Sequence, residues 1–88
     1  MSISRDRQAV GVAKEIWFAN DKMYVRLADG REIGVPVAWF PKLKEATPEQ
    51  RRNWRLIGGG IGIYWEDIDE DIAVESLIWP QGFPLEYH

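Results

Sequence analysis

Carboxylates are the most concentrated reactive groups in this 88-residue chain. Glu66, Asp67, Asp69, Glu70 and Asp71 sit almost side by side, with Glu75 just beyond. Oxygen-rich runs can hold calcium or magnesium. The EF-hand loop, however, needs alternating acidic positions, a central glycine and a later glutamate, and neither the glycine nor the spacing is present here. Paired carboxylates can also hydrolyse glycosides, but a domain this small has little room for a substrate cleft beside its core. The reading that fits the run best is a helix N-terminus. Asp69 or Asp71 would cap, and the other carboxylates would face the positive end of the helix dipole. The helix would run from about Glu70 to Leu77 or Ile78, with Ile72 and Leu77 inward and Ala73 and Ile78 as further candidates for that face.

Other chemistries find fewer parts. Nucleophilic catalysis needs a nucleophile, a base and an orienting group. The hydroxyls are Ser2, Ser4, Thr47, Ser76 and three tyrosines, there is no cysteine, and the single histidine is His88. One histidine cannot supply a zinc site. Gly58-Gly59-Gly60 and Gly62 invite a phosphate-loop reading, but no Gly-Lys-Ser/Thr follows. Ile63 stands where the dinucleotide fingerprint needs its third glycine. A glycine cluster between a short strand and an apolar strand reads instead as a tight turn or a close backbone approach. The expectation is therefore a domain that is not an enzyme, with no metal and no cofactor.

Size and composition set the frame. The chain reads as one domain over 1–88, with a core of about 9–79 and flexible or extended tails at 1–8 and 80–88. Absent cysteine fits a reducing interior, and MSISRDRQAVG lacks the apolar segment of a signal peptide. No apolar run approaches the roughly 20 residues of a membrane span. A cytoplasmic location without membrane contact is expected. The net charge of −3 is unevenly spread. Residues 42–55 carry Lys42, Lys44, Arg51, Arg52 and Arg55 against Glu45 and Glu49, while residues 66–88 hold seven acidic groups and no basic one. The basic middle and acidic end can pair in the fold or face different partners.

The elements that must position these groups begin with Ala9 to Ala19, a β-rich stretch with a break near Ala13-Lys14 that reads as a bulge. Asn20-Asp21 is a turn pair. Met23, Val25 and Leu27 alternate with Tyr24 and Arg26. Asp29-Gly30 is a strong hairpin signal, and Ile33 and Val35 share a face of the returning strand. Val35-Pro36 ends it. A short helix is expected from Ala38 to about Glu45, with Trp39, Phe40 and Leu43 on one face. Thr47, Pro48 and Gln50 form a capping box for the next helix. Ile61, Ile63 and Trp65 alternate as a fourth strand, and Trp79-Pro80 stops the last helix. The expected class is α+β: an antiparallel three- to four-stranded meander packed against two or three short helices.

Trp39, Phe40, Arg51, Arg52 and Trp54 are the candidate partner-binding residues. Tryptophan and arginine are favoured anchors of interfaces, although aromatics at this spacing also serve as core. The alternative is nucleic-acid binding or regulation through the basic 42–55 segment.

The run Asp29-Gly30-Arg31, Val35-Pro36, Trp39-Phe40-Pro41-x-Leu43, Ala46 to Arg51, Asn53-Trp54, Gly60-x-Gly62-Ile63-x-Trp65 and Asp69-Glu70-Asp71-Ile72 resembles a bacterial family, domain of unknown function family 2442, over about residues 10–79. The resemblance implies a small α+β domain with a three-stranded sheet and short helices. It also implies a gene often placed beside that of a second small protein, in an arrangement like that of toxin–antitoxin pairs. Some members carry a helix-turn-helix domain after this one, and the chain ending at His88 is expected to lack it. The resemblance assigns no residue a role. A protein partner, with an antitoxin-like part for this chain, or self-association is the expectation that follows.

Overall fold

The structure, a computed structural model, describes residues 11–78. The lead-in 1–8, the strand start at Ala9-Val10, the Trp79-Pro80 stop and the tail 81–88 lie outside the described residues. The fold is α+β, and the described residues form six strands in two separate three-stranded antiparallel sheets. The first sheet joins β1 (Ala13–Ala19), β2 (Lys22–Leu27) and β3 (Glu32–Pro36) in sequence order. The second joins β4 (Trp54–Ile57), β5 (Gly62–Trp65) and β6 (Glu70–Ala73). Between them lie α1 (Pro41–Lys44) and α2 (Pro48–Arg52), and α3 (Val74–Ile78) follows. The sequence led to one meander of three or four strands, so the second sheet is a correction.

The first sheet forms where alternation and turn chemistry agree. Asn20 and Asp21 take φ of 55° and 65°, the left-handed pair that a two-residue hairpin turn requires. Gly30, at φ 96°, serves the next turn. Asp29 helps close that turn by accepting from Arg31 N–H at 3.0 Å and from Arg31 Nε at 2.9 Å. The register shift between Ala13 and Glu15 is the expected bulge. It lets Ala13 and Ile16, three positions apart, both face the core. Met23, Val25 and Leu27 are fully buried, as their alternation requires.

The outer face of this sheet is tied in rows. Glu15, Arg26 and Glu32 lie opposite one another, and Arg26 reaches both carboxylates at 2.9 and 3.1 Å. In the next row Trp17 stacks on Tyr24, ring centroids 5.6 Å apart. Tyr24 in turn lies over Gly34, where a Cβ would meet the ring at 2.8 Å.

Two expected helices are redrawn. In place of Ala38 to Glu45 there is a 3-10 turn at Val37–Trp39, an extended Phe40, and then α1. Pro41 explains the break, since it disfavours helical geometry in the residue before it and starts a new helix at its own first position. The capping box of α2 is present in full. Gln50 N–H donates to Thr47 Oγ1, and Thr47 N–H to Gln50 Oε1, each at 3.0 Å.

The acidic run does not open a helix. Glu66 to Asp69 is the turn of a hairpin, and Glu70–Ala73 pairs with β5 as β6. Asp69 sits at φ 53°, a turn conformation that aspartate tolerates. Ile72, opposite Ile63, is buried while Asp71 and Ala73 are exposed, which is strand alternation. Helical structure begins only at Val74, whose N–H donates to the carbonyl of Ile61 at 2.9 Å. Ile61 was expected within the fourth strand, on one face with Ile63 and Trp65. It is 59% exposed, because it belongs to the turn before β5 and so falls outside the alternation.

The two sheets meet around Trp65, which is fully buried. Its indole N–H donates to the Arg51 carbonyl at 3.0 Å, and its ring meets Phe18 edge-on at 6.5 Å. The glycine run supplies the second junction. Gly58, Gly59 and Gly60 all have positive φ, and a Cβ on Gly60 would lie 2.6 Å from the Ala13 carbonyl oxygen. The second sheet's turn thus touches the backbone at the start of β1. This is the close approach that the glycines implied.

Candidate functional site

A cleft of about 530 Å³ lies between the end of β1 and the segment formed by α2 and the start of β4. One wall is the end of β1 and its turn, residues 16–21. The other is Pro48, Arg51, Arg52 and Trp54. The capping box and Pro48 fix where α2 begins, and its last turn delivers both arginines to the wall. Trp54 follows at the start of β4, opposite Trp65 in register.

The two arginines do different work. Arg51 Nε donates to the Leu43 carbonyl at 2.9 Å and Nη2 to the Lys44 carbonyl at 3.1 Å. These are carbonyls at the end of α1, where a cation meets the negative end of the helix. The guanidinium also lies 5.8 Å from the Phe18 ring centroid. Arg51 therefore braces α1, the first sheet and, through its own carbonyl, Trp65. Arg52 is exposed and makes no ion pair or cation–π contact among the described residues. Its charge lies at the cleft, whose opposite wall carries Asp21.

Of the five residues singled out in the sequence, Arg51, Arg52 and Trp54 come together. Trp39 and Phe40 do not line this cleft. Phe40 is only 9% exposed and belongs to the core, and Trp39 packs half-buried against that core. Trp17, Phe18, Asn20 and Asp21 line the opposite wall and were missed. Their signal was a turn pair directly after two aromatics, read for fold and not for surface.

The basic segment does not form one stripe. Lys42 Nζ donates to the Asp69 carbonyl at 2.9 Å. Arg51 is turned inward, and Arg55 lies over Tyr64 at 5.3 Å on the outer face of the second sheet. The acidic loop is equally committed. Asn53 Nδ2 donates to Asp67 Oδ2 at 3.0 Å, and Ile68 packs against the core. Among the described residues no three acidic or histidine side chains converge as metal ligands. Thr47 Oγ1 is used in the cap, and Ser76 Oγ donates to the Ala73 carbonyl at 2.7 Å. No helix among the described residues is long and apolar enough to cross a membrane.

Among the described residues one titration is perturbed. The Asp29 carboxyl is held below its ordinary value chiefly by the Arg31 backbone N–H that it accepts; desolvation opposes this, and the hydrogen bond and charge of the Arg31 side chain add to the lowering.

Comparison with known proteins bears on the fold and the family. A crystal structure of a protein of unknown function from Rhodospirillum rubrum is similar with a TM-score of 0.70 at 22% identity, covering 78% of this chain and 86% of that one. A solution NMR structure of an uncharacterized protein from Chromobacterium violaceum has a TM-score of 0.70 at 21% identity, covering 98% of this chain and 88% of that one. At these identities the likeness is one of fold. No curated protein matches the sequence. A family model does match, over residues 13–81, and spans both sheets, the cleft and all three helices. The chain therefore belongs to the family described as "Protein of unknown function (DUF2442)".

Proposed function

We propose that this domain is a non-catalytic protein-interaction module, the antitoxin-like member of a two-gene pair whose partner is the product of the neighbouring gene. The observation that carries this reading is exposed Arg52, without an ion pair among the described residues, beside half-buried Trp54 and across a cleft from Trp17 and Phe18. Aromatic and arginine side chains gathered in one concavity are what interface centres favour. The paired gene arrangement implied by the family resemblance supplies the candidate partner.

The test is to purify the neighbouring gene's product and mix it with this protein. A shift in elution volume and a rise in melting temperature are expected, both weakened by Arg52→Glu and Trp54→Ala. No change in either on mixing would sink the proposal. Self-association is the related outcome, which sedimentation of the protein alone detects. Nucleic-acid binding has less support, because Lys42, Arg51 and Arg55 are engaged within the domain.

A further inference from the structure

We propose that the cleft is a strand-addition site, which takes an extended acidic segment of the partner protein as a fourth strand beside β1; this rests on the interaction-module reading above. Among the described residues β1 is an edge strand, paired with β2 alone. A two-residue turn closes on a hydrogen-bonded pair, here Ala19 with Lys22. Alternation then commits the backbone groups of Ala19 and Trp17 to β2 and turns those of Phe18 and Ile16 toward the open edge. Outside the β1–β2 ladder no backbone hydrogen bond is made by Phe18 or Ile16 among the described residues.

Access is graded along the strand. Near Ala13 the Gly60 turn presses on the backbone and closes the edge. Ile16 is almost wholly buried, Phe18 is half-buried, and Ala19, Asn20 and Asp21 are exposed. The edge therefore opens at the hairpin end, beneath α2. Exposed strand edges are templates for pairing, and a row of main-chain hydrogen bonds gives such docking its affinity.

Charge selects the occupant. The chain carries −3 overall, yet among the described residues the cleft holds Arg51 and Arg52 against Asp21. An added strand alternates its side chains between the two faces of the sheet. One set would meet Phe18 and Trp54, and favours apolar groups. A carboxylate in the segment would answer Arg52. The favoured chemistry is thus an extended peptide that mixes β-branched apolar residues with glutamate or aspartate.

The experiment titrates the 15N-labelled full chain with three capped hexapeptides: alternating valine and glutamate, alternating valine and lysine, and the first peptide N-methylated at every second residue. The glutamate peptide should shift the Phe18 and Ala19 amides and the Trp54 indole. The other two should bind about tenfold more weakly or worse. Arg52→Glu should reverse the preference between glutamate and lysine. Equal binding by the N-methylated peptide, shifts confined to other surfaces, or no shift at millimolar peptide would each overturn the proposal. So would the same shifts appearing on raising protein concentration without peptide, which would make a second copy the occupant. Amide exchange in the presence of the neighbouring gene's product separates the two readings. Protection away from β1 overturns strand addition and leaves the interaction module standing. No protection anywhere removes both.

Discussion

The two sheets are built on one plan and finished differently. Each is a three-stranded antiparallel unit with an arginine on its outer face and a glycine shielded by a neighbour's side chain. In the first, Arg26 is held by two carboxylates and Tyr24 covers Gly34. In the second, Arg55 lies over Tyr64, and Ile57 covers Gly62, where a Cβ would approach at 2.9 Å. The first outer face closes with charge. The second leaves Ile57 at 40% and Ile61 at 59% exposure around a glycine turn. A sheet with strands of five to seven residues can draw on cross-strand rows for support. A sheet with four-residue strands leans on what lies beneath it, which here is Trp65 and its hydrogen bond to Arg51.

That contrast can be broken most severely at the shared side chain. Trp65→Ala should cost about 3–5 kcal/mol, the usual loss for a large buried aromatic. Denaturant unfolding followed by circular dichroism and by amide exchange is expected to show both sheets lost in one transition. If the first sheet keeps its protection while the second melts, the sheets are separate units and the comparison must be redrawn.

Next in size is the junction between the sheets. Gly60→Ala adds a Cβ at φ 109° against the Ala13 carbonyl and should cost roughly 1–3 kcal/mol. Gly59→Ala is the control. Its φ is also positive, at 72°, but a Cβ there meets nothing within 4 Å. Thermal melts should rank Gly60→Ala well below Gly59→Ala, and equal losses would mean that backbone strain rather than contact sets the effect.

Smaller still is the charged row. Arg26→Met should cost under about 1 kcal/mol, because both ion pairs are solvent-exposed. Most of that loss should vanish in 1 M salt, where the screening length is about 3 Å. A loss insensitive to salt would assign the effect to packing of the Arg26 stem on Trp17, whose ring lies 5.2 Å from the guanidinium.

The smallest effect is in the Asp29 turn, which closes the first sheet and has no counterpart in the second. Its folded pKa lies below the ordinary carboxylate value of 3.8, so its contribution is present above that value and is lost as pH falls through the folded one. A 13C titration of the carboxyl should give a midpoint under 3.8. Asp29→Asn should flatten the acid limb of a stability curve, and an unchanged limb would remove Asp29 from it.

The same difference explains what could be read in advance. Asn20-Asp21 and Asp29-Gly30 are turn signals flanked by clean alternation, so local chemistry and tertiary structure agree. The Thr47 capping box is likewise a local rule obeyed locally. The second sheet hides its signals. Glu66 to Asp71 looks like a helix start because acidic residues favour that place, yet the pairing of Ile72 with Ile63 decides its structure. Ile61 looks like part of a strand because its neighbours alternate. The cleft was half legible. Arg51, Arg52 and Trp54 stood out by type, but the opposing wall depends on a contact between β1 and α2, which no local pattern encodes.

Arg51 has a consequence for how the cleft could be watched. It touches Phe18 on the side open to a visitor and, through its carbonyl, the indole of Trp65 on the sealed side. A visitor that shifts the Phe18 ring should therefore alter the emission of a fully buried tryptophan it never contacts. With the other tryptophans replaced by phenylalanine, Trp65 would act as a built-in optical gauge of occupancy.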